Sequence, residues 1–500
     1  MKNAVSKLQT NIDGFDYISM GGLPAGRTTL VSGTAGSAKT VMAAQFLVEG
    51  ITKSNQPGVF VTFEEPADAI RRNMRSFGWD IAKWEKQGMW AFVDAAPRPS
   101  DEAMVAGEYD LEGLLIQIHS AIKKVKAKRL SMDSLGAIFT QFEDSGLVRR
   151  ELFRIVHSLN DSGVTSIITS ERVDEYGSIA RFGVEEFVAD NVMILRNVLE
   201  EEKRRRTIEI LKFRGTNHLK GEFPFTVLPD AGMVVIPLSA LELKQKSSNK
   251  RISSGNTELD QMCGGGFFQD SIVLVSGATG TGKTLAATEF MAGGVKNGER
   301  CLFFAFEESR DQLFRNAEGW GYDFNRMEKS GKLKAVCIYP EAMSLEDHLL
   351  AIKDCIETFK PTRVAIDSFS ALQRIATAKS FREFVVGLTS HLKHLEIAGL
   401  LTSTTPNLLG GASVTEAHIS SITDSIILLR YVEIYGEMRR GLTVLKMRGS
   451  MHDKNIREFT IDSKGMHIGK PFRDVSGILI GRPHQRSSNE IDSLGGLFQE

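Results

Sequence analysis

Two glycine-rich runs carry the strongest chemistry in this chain. Gly277-Ala-Thr279-Gly280-Thr281-Gly282-Lys283-Thr284 matches the pattern G-x-x-x-x-G-K-[ST] in full. In such a run the backbone N–H groups curl around phosphates, the lysine reaches the β- and γ-phosphates, and the hydroxyl ligates Mg²⁺. Gly33-Thr34-Ala35-Gly36-Ser37-Ala38-Lys39-Thr40 departs at one position, with Ala38 where the last glycine belongs. A Cβ there crowds the loop or the phosphate. Lys39 and Thr40 are in place, so ATP binding is expected at both runs, with Thr40 and Thr284 as Mg²⁺ ligands. The alternative, a plain glycine-rich turn, is disfavoured by a complete match set between a strand and a helix.

Carboxylates stand where such a site needs them. Glu64-Glu65 and Glu307-Glu308 each close an apolar stretch. An acid there can polarise a water or hydroxyl aimed at the γ-phosphate, or hold a Mg²⁺ water, a role open to Glu307. Alone, such a pair reads as a surface or helix-entry feature; its recurrence makes catalysis the better reading. Asp133 and Asp367 end apolar strands as a Walker-B aspartate does, touching Mg²⁺ directly or through a water. Each is followed by serine rather than glutamate, so the base is expected from the glutamate pairs. Lys212-x-Arg214 with His218, and Lys446-x-Arg448 with His452, come late. Strand alternation puts each Lys and Arg on one face, where they could stabilise a transferring phosphate, often that of a neighbouring subunit. The run Lys203-Arg-Arg-Arg206 is expected to be solvated surface.

All of these features except the Lys203–Arg206 run, which has no equally basic counterpart, occur twice. The loops repeat at 277 − 33 = 244, the glutamate pairs at 307 − 64 = 243, the aspartates at 367 − 133 = 234 and the basic pairs at 446 − 212 = 234. Kept order and spacing mean a duplicated domain. The joint is expected in the polar stretch Lys244 to Asn249, giving domains 1–246 and 247–480, with 481–500 a flexible tail. Thr29–Ser32 and Ile272–Ser276 read as strands entering the loops. Val41–Glu49 and Leu285–Ala292 read as the helices leaving them. Gly58–Phe63, Cys301–Phe306, Leu130–Met132 and Val364–Ile366 are further apolar strands. Strands alternating with helices predict an α/β fold: two tandem RecA-like P-loop NTPase domains, each a mostly parallel sheet flanked by helices. Ligands gather at the carboxyl ends of such strands. The repeats differ at one place. Ser420 and Ser421 precede the late strand of the second, where the first has Glu186 and Phe187. Hydroxyls only there hint that the second domain phosphorylates itself.

Composition sets the class. The chain has 500 residues, 42% hydrophobic and 25% charged, enough for two or three domains of a cytoplasmic globular protein. No apolar run suits a membrane. A net charge of −1 argues against avid nucleic-acid binding. Cys263, Cys301, Cys337 and Cys355 form no C-x-x-C pair and are expected as buried thiols.

At these residues the chain resembles the KaiC family of double-domain ATPases. The specific stretches are Gly264-Gly-Gly-Phe-Phe, Gly280-Thr-Gly-Lys-Thr, Phe306-Glu-Glu-Ser-Arg, Glu416-Ala-His-Ile-Ser, and Tyr431-Val-Glu-Ile through Lys446-Met-Arg-Gly-Ser. The resemblance implies a homohexamer of two stacked rings with ATP and Mg²⁺ at subunit interfaces. The first ring would hydrolyse ATP slowly with Glu64 and Glu65. The second would be an autokinase and autophosphatase with Glu307 and Glu308 at the catalytic position, Thr284 on Mg²⁺, and Ser420 and Ser421 as phosphoacceptors. It further implies that the neighbour's nucleotide is held by Lys446, Met447, Arg448, Ser450, His452 and Lys454, and in the first ring by Lys212, Phe213, Arg214, Thr216 and His218. Ser76, Trp320 and Arg440 match further ATP-binding positions, Trp320 near the adenine.

Three departures shape that expectation. The acceptor pair is Ser-Ser rather than the Ser-Thr of the best-known clock members. The short tail after Gly481 does not resemble the segment that docks KaiA, which argues against KaiA control, whereas a KaiB-like partner on the first ring fits. Ala38 alters the first loop. A timing or stress-signalling switch follows more readily than a daily oscillator. Two rivals share the fold: a RecA-like DNA recombinase or helicase motor, which would need a basic DNA-contacting surface, and a nucleotide-gated scaffold without phosphotransfer.

Overall fold

The computed structural model describes residues 5–95, 111–134, 136–137, 145–180, 183, 185–200, 203–237, 247–405, 419–473, 475–476, 478 and 484–485. Half of the expected joint (244–246), the stretch 415–418, and nearly all of the tail lie outside them. The chain divides into two compact units, Met1–Ala240 and Leu241–Glu500.

The first unit contains β1 (Lys7–Leu8), β2 (Leu23–Pro24), β3 (Thr28–Gly33), β4 (Gly58–Thr62), β5 (Trp90–Asp94), β6 (Arg129–Asp133), β7 (Thr165–Glu171), β8 (Asn191–Glu200), β9 (Lys203–Phe213), β10 (Glu222–Leu228) and β11 (Gly232–Val235). Nine of these form one sheet in the order β11-β10-β9-β8-β3-β7-β6-β4-β5. The pairs from β8 to β5 are parallel, and those from β8 out to β11 antiparallel. The second unit contains β12 (Arg251–Ile252), β13 (Phe267–Phe268), β14 (Ile272–Gly277), β15 (Cys301–Ala305), β16 (Leu333–Cys337), β17 (Arg363–Asp367), β18 (Ala398–Thr404), β19 (Ser425–Ile434), β20 (Glu437–Met447), β21 (Arg457–Asp462) and β22 (Gly465–Pro471). Its sheet, β16-β15-β17-β18-β14-β19-β20-β21-β22, is the same topology again.

The inner parallel strands are buried almost throughout, their threonines and serines included, because both faces are covered. Val59 and Val61 of β4 pack into the cluster that holds Leu114 and Ile118, while Phe60 between them packs with Phe46 and Trp90 on the other face. The helix Lys39–Ser54 leaves β3 and buries Met42, Ala43, Phe46 and Leu47; the helix Lys283–Lys296 leaves β14 in the same way. The expectation of buried thiols needs correcting. Cys263 and Cys301 are buried, but Cys337 and Cys355 are partly exposed, Cys337 because it ends the edge strand β16. Among the described residues no helix is long and apolar enough to cross a membrane.

Candidate nucleotide sites

Both phosphate loops leave the carboxyl end of the strand where the sheet order reverses, β3 between β7 and β8 and β14 between β18 and β19. The second loop turns into its helix through Gly282 at φ 104°, where glycine alone is unstrained. The first makes the turn through Ala38 at φ 69°, a left-handed conformation that costs a non-glycine residue roughly 1 kcal/mol. Ser37 Oγ donates to the Thr34 carbonyl at 2.8 Å, and Lys39 Nζ to the carbonyls of Gly33 and Thr34 at 2.9 and 3.0 Å. In the second loop Thr281 Oγ1 and Lys283 Nζ close on the Ala278 carbonyl at 2.8 and 2.9 Å. Burial pushes both lysines below their ordinary pKa. Glu171, Asp133, Glu64 and Glu175 oppose that at Lys39; Asp367 and Glu307 oppose it at Lys283.

Thr40 hydrogen-bonds to Asp133 and Thr284 to Asp367. Thr169 and Thr402 donate to the same two aspartates. Burial pushes both aspartates up, against these hydrogen bonds. A hydroxyl beside a carboxylate is a hard-oxygen pair of the kind Mg²⁺ accepts along with phosphate oxygens.

The glutamate pairs are mounted alike. Glu64 accepts from Ser134 Oγ, and Glu307 from Ser368 Oγ at 2.6 Å. Glu65 accepts from Asn73 at 3.0 Å, and Glu308 from Asn316 at 3.3 Å. Glu307 also takes a hydrogen bond from Arg374 at 2.7 Å. Burial would raise its pKa, but Ser368, Arg374 and Lys283 bring it below the ordinary carboxylate value. Glu308 goes the other way, raised by burial and by Asp367. Ser76 Oγ donates to the Asn73 carbonyl at 2.7 Å. Trp320 is the repeat counterpart of Phe77 (320 − 77 = 243) and packs, half-buried, against the core of the second unit. The Arg440 guanidinium lies 5.7 Å from the Tyr431 ring centroid, and the Tyr431 hydroxyl would be 2.8 Å from a Cβ on Gly280, so Arg440 is at its own loop's end.

The remaining expected residues lie elsewhere. Lys212 pairs with Val192 and Lys446 with Ile426, at the amino ends of β8 and β19. Leu211 and Leu445 are skipped in that pairing, so a β-bulge precedes each lysine and re-aims it. Lys446 Nζ donates to the carbonyls of Ser420 and Thr423 at 2.6 and 2.7 Å, and Arg448 Nη2 to that of Ser421 at 2.7 Å. Lys212 donates to Glu186 and Ala189 at 3.0 and 2.8 Å, and Arg214 to Phe187 at 3.4 Å. Phe213 and Met447 are buried. His218 lies edge-on to Phe213 at 5.5 Å. Ser450 accepts from Arg251 at 2.6 Å. Lys454 is exposed, and Thr216 and His452 are half-buried in the same turns. The six residues of β14 separate this end from the loop, about 17 Å of strand. One chain therefore gathers loop, threonine, aspartate and glutamate pair, but brings neither the 212–218 and 446–454 sets nor the two serines to them.

Three residues escaped the sequence reading. Glu171 ends β7 level with Gly33, and Glu175 reaches Thr34; neither has a motif. Arg206 donates to the Gly36 carbonyl at 3.1 Å. This corrects the expectation that Lys203–Arg206 is solvated surface: the β8–β9 hairpin carries its start to the phosphate loop. The offset 440 − 206 = 234 was the available signal.

A family model for the KaiC ATPase matches this architecture twice, over residues 8–240 and 252–472. The chain belongs to the KaiC family of ATPases. Circadian clock protein KaiC3 of Synechocystis sp. is 67% identical over 498 residues, 100% of this chain and 98% of that protein. The circadian clock oscillator protein KaiC of Thermosynechococcus vestitus is 56% identical over 99% of this chain and 95% of its own length. That of Synechococcus elongatus is 54% identical over the same shares. Membership in the KaiC family gives the chain two repeats of an ATPase domain, and the Thr–Asp pairs and glutamate pairs are read in that setting.

Proposed function

We propose that this chain is an ATPase and serine autokinase that works as a ring, the γ-phosphoryl passing from a nucleotide on one subunit to Ser420 or Ser421 of the next. One observation carries the reading. The serines and the Lys446–Arg448 pair sit at the amino end of the sheet, while the loop of the same unit leaves its carboxyl end. A donor on the neighbour resolves that separation. The hydroxyl oxygen bonds to the γ-phosphorus as its bond to the β–γ bridging oxygen breaks. ADP leaves, and the hydroxyl proton goes to the neighbour's Glu307. Mg²⁺, held through Thr284 and Asp367, would neutralise charge on the departing phosphates. In the first unit Glu64 and Glu65 serve water in the same way, giving hydrolysis.

The homohexamer of two rings, cytoplasmic placement, reversal by an autophosphatase, and a KaiB-like but not KaiA partner complete the reading. Relatives named as clock proteins support a timing or stress-signalling role. The test mixes two full-length variants with Mg²⁺ and γ-labelled ATP. E307Q has acceptors without the base; S420A/S421A has the base without acceptors. Neither should label alone, and mixed rings should label the E307Q chain on Ser420 or Ser421. Label on E307Q alone would refute the assigned base. No label in the wild type, with hydrolysis intact, would leave a nucleotide-gated scaffold.

A further inference from the structure

We propose that Glu175 is a positioning residue of the first nucleotide site, bracing the phosphate loop against the strain at Ala38. It rests on the reading of that loop as an ATP site. Glu175 is 141 residues from the loop in sequence, yet its Oε1 accepts from Thr34 Oγ1 at 2.6 Å. Its Oε2 accepts from the Asn197 backbone N–H at 3.0 Å, and its carbonyl from Arg196 Nε at 3.2 Å. Thr34, Arg196 and Asn197 are all buried. Arg196 is fixed in turn by Glu209 at 2.7 Å and Glu222 at 3.3 Å. One carboxylate thus ties the start of the loop to the neighbouring strand β8.

A carboxylate beside a loop that receives an anion is unfavourable in itself. Its place there is understandable if the loop needs holding. Ala38 provides the need, because its left-handed backbone favours relaxation to another loop shape. Hydrogen bonds to an ionised acceptor are about twice as strong as neutral ones. Among the described residues the second loop shows neither part. It turns through Gly282, and the segment Thr404 to Ser413 that follows β18 contains no acidic residue. Brace and strain thus occur together in the first unit, whereas the second turns through glycine and has no acidic residue at positions 404–413.

The experiment uses the full chain carrying E307Q/E308Q to silence the second site, and measures kcat and KM for ATP hydrolysis. E175A should raise KM about tenfold, the equivalent of about 1.4 kcal/mol, with a smaller change in kcat. T34V should match it and T34S should restore wild-type behaviour, which covers the case of a poorly folded E175A. The decisive variant is A38G/E175A, expected within about twofold of wild type because glycine removes the strain. A KM rise of equal size in E175A and in A38G/E175A would overturn the brace, as would tighter ATP binding in E175A. Hydrolysis indifferent to K39A would instead overturn the reading of the first loop as an ATP site, and the brace with it.

Discussion

Lys446 Nζ lies 2.6 Å from the carbonyl oxygen of Ser420, and its repeat counterpart Lys212 grips Glu186 in the same way. Two of the three donors of the Lys446 ammonium are spent on Ser420 and Thr423. The third is available to an acceptor from outside the unit. The lysine thus fixes the backbone that carries Ser420, the proposed acceptor.

K446M should therefore misplace the acceptors. A shift of about 1 Å in a reacting group costs on the order of 100-fold. Label on Ser420 and Ser421 should fall by about that factor, far more than hydrolysis at the first site. Equal losses of both, measured by phosphopeptide mapping and phosphate release, would count against the positioning role.

Thr284 hydrogen-bonds to Asp367, and the two are the proposed Mg²⁺ half of the second site. T284A should raise the Mg²⁺ concentration for half-maximal phosphorylation by about tenfold, roughly the loss of one charge-assisted bond, and T284S should restore it. A Mg²⁺ titration of labelling decides this; an unchanged midpoint would remove Thr284 from the ion.

Glu289 provides a pH test. It is 4% exposed and accepts from the Met466 N–H at 2.7 Å, Asn256 Nδ2 at 3.2 Å and the Tyr322 hydroxyl at 3.3 Å. Burial holds its pKa above 4.5, against these bonds. Above that value the folded state keeps a proton that the unfolded chain has released, so stability rises as pH falls through the window up to the raised folded pKa. In E289Q the titration is gone and an amide donor faces Asn256, at a cost of about 1–3 kcal/mol. The Tm gap between wild type and E289Q should widen as the pH is lowered from neutrality toward 4.5. A constant gap would contradict the raised pKa.

Arg363 should matter for stability more than Arg129, its repeat counterpart. Its side chain is 0% exposed and meets Glu299 at 2.6 and 3.0 Å and the carbonyls of Ser253 and Phe290 at 2.6 and 3.0 Å. Arg129 has Gln56 at 2.8 Å in place of a carboxylate. R363M strands a charge and should destabilise by about 3 kcal/mol; R129M should cost about 1–2 kcal/mol. Urea unfolding of each variant gives the comparison, and an equal cost would show that Glu299 contributes little.

The sequence by itself determined the duplication, the two loops, the strands that enter them, and the carboxylates at the strand ends. Phosphate chemistry demands these as contiguous patterns: a loop must fold on itself within a few residues, and an apolar strand must end in its acid. Even the repeat counterparts, Lys212 with Lys446 and Arg206 with Arg440, were legible as offsets. Only the tertiary structure decided which ends of the sheet these residues occupy. A hairpin partner runs antiparallel, so Arg206 at the start of β9 reaches the phosphate loop while Lys212 at its end reaches the opposite edge. The bulges at Leu211 and Leu445 alter the strand period just before the lysines, where simple alternation fails. Glu175 meets Thr34 across 141 residues. Such a contact depends on two distant segments being laid side by side by the sheet, and no local pattern of residues encodes it.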